Sequence, residues 1–149
     1  MFCPYCNNSE TVVKDSRISE DGFAIRRRRH CTKCDSRFTT FERIQTKELI
    51  IVKKNGEKQF FDRDKLARSI KMAIRKRPVD LHKSEEIVND IIRELETSQQ
   101  SEIKSSILGE IIMSKLAKLD PVALVRFASV YKNFSSAKDF KEFIAQLKN

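Results

Sequence analysis

The chain has 149 residues, of which 34% are charged, with a formal net charge of +9 and a mean hydropathy of −0.50. No apolar run approaches the length of a bilayer span, which argues against a membrane protein and sets the expectation of a soluble, cytoplasmic one. A single domain would fit this length, but the first 48 residues differ in character from the rest, so two modules are the better count.

All four cysteines fall within the first 34 residues, as Cys3-Pro-Tyr-Cys6 and Cys31-Thr-Lys-Cys34. A two-residue spacer lets both thiolates of a pair face one ion, and two such pairs complete the tetrahedron that zinc prefers. Asn7 and Asp35 follow the second cysteine of each pair, and both residue types tolerate the left-handed turn that a zinc knuckle needs. No apolar signal peptide precedes Cys3, so a reducing compartment and free thiols are expected rather than disulfides. A redox Cys-x-x-Cys would need a thioredoxin-like βαβ setting, which the surrounding sequence lacks. With Cys3, Cys6, Cys31 and Cys34 filling all four positions, one structural Zn²⁺ per chain is expected, with no open site for water. His30 then reads as a contact residue rather than a fifth ligand. The leading module is too short for an ample core, so the metal, at about 10 kcal/mol or more, would supply most of its stability.

Three antiparallel strands are expected around these knuckles: Thr11 to Lys14, Phe23 to Arg29 and Arg37 to Phe41, with Glu20-Asp21-Gly22 as the turn between the first two. Residues 1 to 48 hold ten Lys/Arg and seven Asp/Glu, and zinc with four thiolates brings that formal excess down to about +1. What distinguishes the module is therefore placement. Arg26-Arg27-Arg28-Arg29 lies on the strand leading into the second cysteine pair, so Arg26 and Arg28 should point one way and Arg27 and Arg29 the other. Together with Arg17 and Arg37 they suit a phosphate backbone, and bidentate arginines can read guanine edges. A merely solvated basic strand is the bland alternative. Phe38 and Phe41 are expected to pack the ribbon or its junction rather than meet bases.

Ile44 to Lys47 reads as a connection, after which the pattern changes. Leu49 to Lys54 is a β-branched run, Asn55-Gly56 a hairpin turn, and Gln59-Phe60-Phe61 the returning strand. Asp62 should cap a helix carrying Leu66, Ile70, Ala73 and Ile74, stopped by Pro78 after Arg75-Lys76-Arg77. Ser84 should open a second helix with Ile87, Val88, Ile91, Ile92 and Leu95. A third carries Ile107 to Leu119, and Asp120-Pro121 caps and starts a fourth through Tyr131. A last amphipathic helix holds Phe140, Phe143, Ile144 and Leu147. Lys53, Lys54 and Lys65 beside a hairpin and a helix N-terminus could neutralise a polyphosphate, although such lysines are more often simply solvated. Neither a G-x-x-x-x-G-K-[ST] loop nor a G-x-G-x-x-G fingerprint is present.

Cys3-Pro-Tyr-Cys6, Asp15-Ser16-Arg17, Arg26 to Arg29, Cys31-Thr-Lys-Cys34 and Arg37-Phe38-Thr39-Thr40-Phe41-Glu42 together resemble the NrdR family of bacterial repressors. Val52-Lys53-Lys54-Asn55-Gly56, Phe61-Asp62, Lys65-Leu66, Lys76-Arg77-Pro78-Val79 and Val125 to Tyr131 resemble the ATP-cone that follows the ribbon in that family. The resemblance implies an α+β chain: a small antiparallel zinc ribbon with linker over 1–48, a mainly helical ATP-cone with an N-terminal hairpin over 49–139, and a helical tail over 140–149. It implies a non-enzymatic repressor that binds double-stranded operator boxes upstream of ribonucleotide reductase genes and is associated with the nucleoid when bound. ATP and dATP would act by changing the homo-oligomeric state. Arg17, Arg26, Arg28 and Arg37 would lead the DNA contact, beside Arg27 and Arg29. Lys53, Lys54 and Lys65 would hold phosphates, and Val52, Asn55, Gly56 and Phe60 would shape the nucleotide pocket. A ribbon that binds structured RNA is the competing binding class. A reductase is argued against because no cysteine lies beyond Cys34 to carry radical chemistry.

Overall fold

The computed structural model describes residues 1–19, 22–45 and 47–146. It divides into two compact units, Met1–Thr46 and Lys47–Asn149.

In the first unit β1 (Thr11–Ile18), β2 (Ala24–Cys31) and β3 (Arg37–Arg43) form an antiparallel sheet in the order β1-β2-β3. Glu20 and Asp21 of the expected turn lie outside the described residues. Gly22, at φ 75°, occupies the left-handed region that its missing Cβ allows. Ser19 closes the loop: its amide donates to the Ala24 carbonyl at 2.8 Å, and its hydroxyl accepts from the Ala24 amide at 2.9 Å. The β1–β2 register slips once, between Val13 and Asp15, so Lys14 is a bulge. Among the described residues of this unit the buried apolar side chains are only Cys3, Ala24 and Cys31. Such a core is too small to hold a sheet by burial alone.

Among its described residues the second unit combines a three-stranded sheet with five helices. β4 (Ile50–Val52) lies between antiparallel β5 (Lys58–Phe60) and parallel β6 (Glu102–Lys104). Gly56 at φ 83° makes the expected turn, with the Lys53 amide donating to the Glu57 carbonyl at 2.8 Å. β6 has no counterpart in the sequence reading. Its three residues carry a single apolar side chain, Ile103, 3% exposed, and only pairing to β4 defines them as a strand.

Asp62 caps α1 (Arg63–Ile74), accepting from the Lys65 amide at 2.9 Å. The helix ends before Arg75, and Lys76 adopts φ 59°, so Arg75-Lys76-Arg77 is already a turn when Pro78 is reached. Ser84 does not open α2 (Leu81–Thr97), contrary to expectation. Asp80 is the cap, accepting from the His82 amide at 3.1 Å, and Ser84 is buried inside the first turn at 1% exposure. Asp and Ser are comparable caps, and only the packing reveals which one starts the helix.

Asp120 joins α3 (Ser105–Leu119) to α4 (Pro121–Tyr131). Its carboxylate caps α4 through the Ala123 amide at 2.8 Å and takes the Arg77 guanidinium at 3.0–3.1 Å. The Arg77 hydrogen bond holds this carboxyl below the usual aspartate range. α5 (Ala137–Gln146) starts with a reciprocal cap: the Ser136 hydroxyl accepts from the Asp139 amide at 3.2 Å, and the Asp139 carboxylate accepts from the Ser136 amide at 3.2 Å. Hydrogen bonds from Ser135 and Ser136 lower Asp139 to about 2. Leu147, the last apolar residue expected of this helix, lies outside the described residues. The core is one cluster centred on Ile70, Val88, Ile91, Leu95 and Leu116. No described helix is long and apolar enough to cross a membrane.

Gly109 in α3 has a packing role that the sequence does not announce. A Cβ there would lie 2.0 Å from Cζ of Tyr131, whose hydroxyl donates to the Ser105 or Ser106 carbonyl, each at 3.1 Å. Gly109→Ala should therefore displace Tyr131 and cost about 1–3 kcal/mol in chemical denaturation. Unchanged stability would show that the ring can be rehoused freely.

Candidate metal centre, arginine face and cavity

The two cysteine pairs form near-identical knuckles. The Asn7 amide donates to the Cys3 carbonyl and the Asp35 amide to the Cys31 carbonyl, both at 3.0 Å. Asn7 and Asp35 take φ 55° and φ 58°, the left-handed turn that their side chains tolerate. All four Sγ atoms lie within 4.8 Å of one another, with Cys3–Cys34 and Cys6–Cys31 each at 3.6 Å. A disulfide needs about 2.05 Å. Four sulfurs about 2.3 Å from one zinc would be about 3.8 Å apart, so the spacing fits a tetrahedral ion.

The electrostatics agree with the spacing. The Cys34 backbone amide, more than any other group, pulls Cys31 down to about 6. Cys6 is pushed up to about 12: the Asn8 backbone amide favours its thiolate, but burial and the neighbouring sulfurs outweigh it. Four thiols this close cannot all ionise side by side without a cation, and a divalent ion removes that conflict. His30 is not part of the sulfur cluster and bonds Asp35 through Nε2 at 2.6 Å, which lowers the Asp35 carboxyl.

The sheet sorts the arginines by face. Directly opposed residues share a face, and the register aligns Arg17 with Arg26 and Phe41, Asp15 with Arg28 and Thr39, and Val12 with His30 and Arg37. Arg17, Arg26, Arg28 and Arg37 thus form one exposed face, to which Arg43 also belongs. Arg27 and Arg29 lie half-buried on the other face, Arg27 paired with Glu42 at 2.5 Å and Arg29 bonded to the Thr40 hydroxyl at 3.2 Å. Phe41 departs from expectation. It does not pack the ribbon but stands 48% exposed on the arginine face, because β3 places it in phase with Arg26, while Phe38 takes the other face half-buried.

In the helical unit a cavity of about 840 Å³ opens between the β4–β5 hairpin, α1, α3 and α4. Lys53, Lys65 and Arg126 supply its cations, and Leu108, Ile112, Phe127 and Tyr131 supply its apolar wall. Phe127 and Tyr131 stack with centroids 5.5 Å apart. Lys53 Nζ also holds Glu57 at 2.9 Å, lowering that carboxyl. Ile51 and Gln59, opposed in register, face the cavity. Period two therefore turns Val52 and Phe60 to the other side, Phe60 being 71% exposed. Lys54, Asn55 and Gly56 form the exposed turn and are absent from the lining. Arg126 was not singled out from the sequence. Its signal is a lone charge in the run from Val122 to Val130, whose only other polar residue is Ser129.

Comparison with known proteins adds two family matches: "Transcriptional repressor NrdR-like, N-terminal domain" over residues 1–42, and "ATP cone domain" over residues 49–137. Proteins named transcriptional repressor NrdR are similar over nearly the whole chain. The one from Rhodospirillum rubrum is 60% identical over 147 residues, covering 99% of this chain and 97% of that protein. That from Acidiphilium cryptum is 56% identical with the same coverage. That from Ruegeria sp. is 51% identical over 148 residues, covering 99% and 96%.

Stripping the metal with a strong chelator should collapse the ribbon and spare the helical unit. Amide NMR signals of residues 1–45 should lose their dispersion while those of α1 to α4 stay in place. Intact ribbon signals in verified metal-free protein would contradict a structural role for the ion.

Proposed function

The chain belongs to the NrdR family of transcriptional repressors, and we propose that it represses ribonucleotide reductase genes by binding paired operator boxes under the control of ATP and dATP. The working division is a ribbon with linker over 1–48, a nucleotide-sensing cone over 49–139 and a tail over 140–149. Its site of action is the cytoplasm, at the nucleoid.

The observation that carries DNA binding is the placement of Arg17 directly opposite Arg26, with Arg28 and Arg37 on the same open face. Like charges opposed on a sheet destabilise it, and the Asp15 partner of Arg17, at 3.0 Å, offsets only part of that. A polyanion along this face relieves the repulsion, and release of its counterions drives association. Arg27 and Arg29, engaged within the sheet, would act chiefly as its support.

For the nucleotide, the cavity combines cations with a pair of stacked aromatic rings, as a triphosphate joined to a flat base requires. Lys53 and Lys65 would hold phosphates, joined by Arg126. Lys54, Asn55 and Gly56 would close over them from the turn, and Val52 and Phe60 would brace the hairpin from its far side. Different nucleotides would favour different homo-oligomers, and only some would space two ribbons to match two boxes. A single ribbon is too small to specify a long site.

A mobility-shift assay on a reductase promoter fragment tests this. dATP, alone or with ATP, should give a retarded complex, and ATP alone should not. Arg28→Ala should weaken the complex by about 1–3 kcal/mol and leave nucleotide affinity intact, and Lys53→Ala should do the reverse. Equal retardation with either nucleotide would defeat the proposed control.

A further inference from the structure

We propose that Phe41 is a base-reading residue of the ribbon, its ring taking the C5-methyl group of one operator thymine in the major groove. The inference rests on the DNA-binding reading above and adds a specificity determinant that the arginines cannot supply.

Phe41 is opposite Arg26, which is itself opposite Arg17, so a phenyl ring stands in the row of charges that would meet the duplex. At 48% exposure it gains little from the ribbon's own packing. The Arg43 guanidinium lies 4.8 Å from its ring centroid, which orients both groups toward one surface. A phenyl ring offers nothing to a phosphate oxygen. In the major groove the apolar feature is the thymine methyl, and the groove admits a pair of strands, here β2 with the edge strand β3, which carry Arg26, Arg28 and Phe41 on one face. Guanine contacts by Arg26 or Arg28 would set the neighbouring positions, and Phe41 would separate thymine from cytosine, which lacks the methyl group. Among the other large exposed apolar residues of this sheet, Val12 shares the face but sits in the separate row of His30 and Arg37, Val13 and Ile18 are opposite Arg29 and Ile25 on the other face, and Phe23 and Ile44 lie just beyond the ends of β2 and β3.

The test uses full-length, zinc-loaded protein and a promoter fragment that it retards, with thymidines replaced one at a time by deoxyuridine, which removes only the methyl group. At one position within each box the replacement should weaken wild-type binding about fourfold, the worth of one buried methyl. Phe41→Ala should bind the thymidine and deoxyuridine fragments equally at that position, with unchanged zinc content and melting temperature. A methyl effect that persists in Phe41→Ala, or no methyl effect at any position, would overturn the inference while leaving the arginine face intact. Failure of the wild type to retard any reductase promoter in any nucleotide state would instead overturn the repressor reading, and this inference with it.

Discussion

Four sulfurs within 4.8 Å of one another are the constraint on which the first unit depends. Sheet pairing brings the knuckles together, but pairing among three strands with one buried alanine cannot hold them there against the mutual repulsion of ionised thiols. A divalent ion turns that repulsion into four bonds. It would pin the one end of the sheet where β1 begins and β2 turns into β3, and with it the register that aligns Arg17, Arg26, Arg28 and Arg37. With zinc bound, the arginine face would follow from the metal as much as from the sequence.

The second unit is held by other means. Its core is a continuous aliphatic cluster, and its polar interior is satisfied by named partners, of which Asp120 with Arg77 and the α4 amide is the clearest case. Two neighbouring cations on one chain thus do opposite work. Arg77 is committed to structure at the start of α4, and Arg126 on α4 lines the cavity while its Nη1 donates to the Arg75 carbonyl at 2.5 Å and the Ala73 carbonyl at 3.4 Å. A site whose cations are only partly engaged can respond to an anionic ligand, which is what a sensing module requires.

Much of this was legible because the signals were local. Cysteine spacing, left-handed residues after each knuckle, alternation along Arg26 to Arg29, the Asn55-Gly56 turn and the Asp120-Pro121 boundary each need only a few neighbours to be interpreted. The parts that escaped depend on distant partners. β6 exists because β4 pairs with it; Asp80 rather than Ser84 starts α2 because Ser84 is buried; Gly109 matters because Tyr131 crosses it. Phe41 escaped for a related reason: strand phase, not hydrophobicity, decided its exposure. The cavity joins residues from Ile51 to Tyr131, so Lys53 and Lys65 were visible in the sequence but their aromatic wall was not.

The most direct measurement is a zinc titration of metal-free protein, following operator retention and nucleotide binding in the same samples. DNA binding should appear in proportion to metal and saturate at one zinc per chain, while nucleotide binding stays constant throughout. Operator binding by metal-free protein, or nucleotide binding that rises and falls with zinc, would contradict a metal-built arginine face carried beside an independently folded sensor.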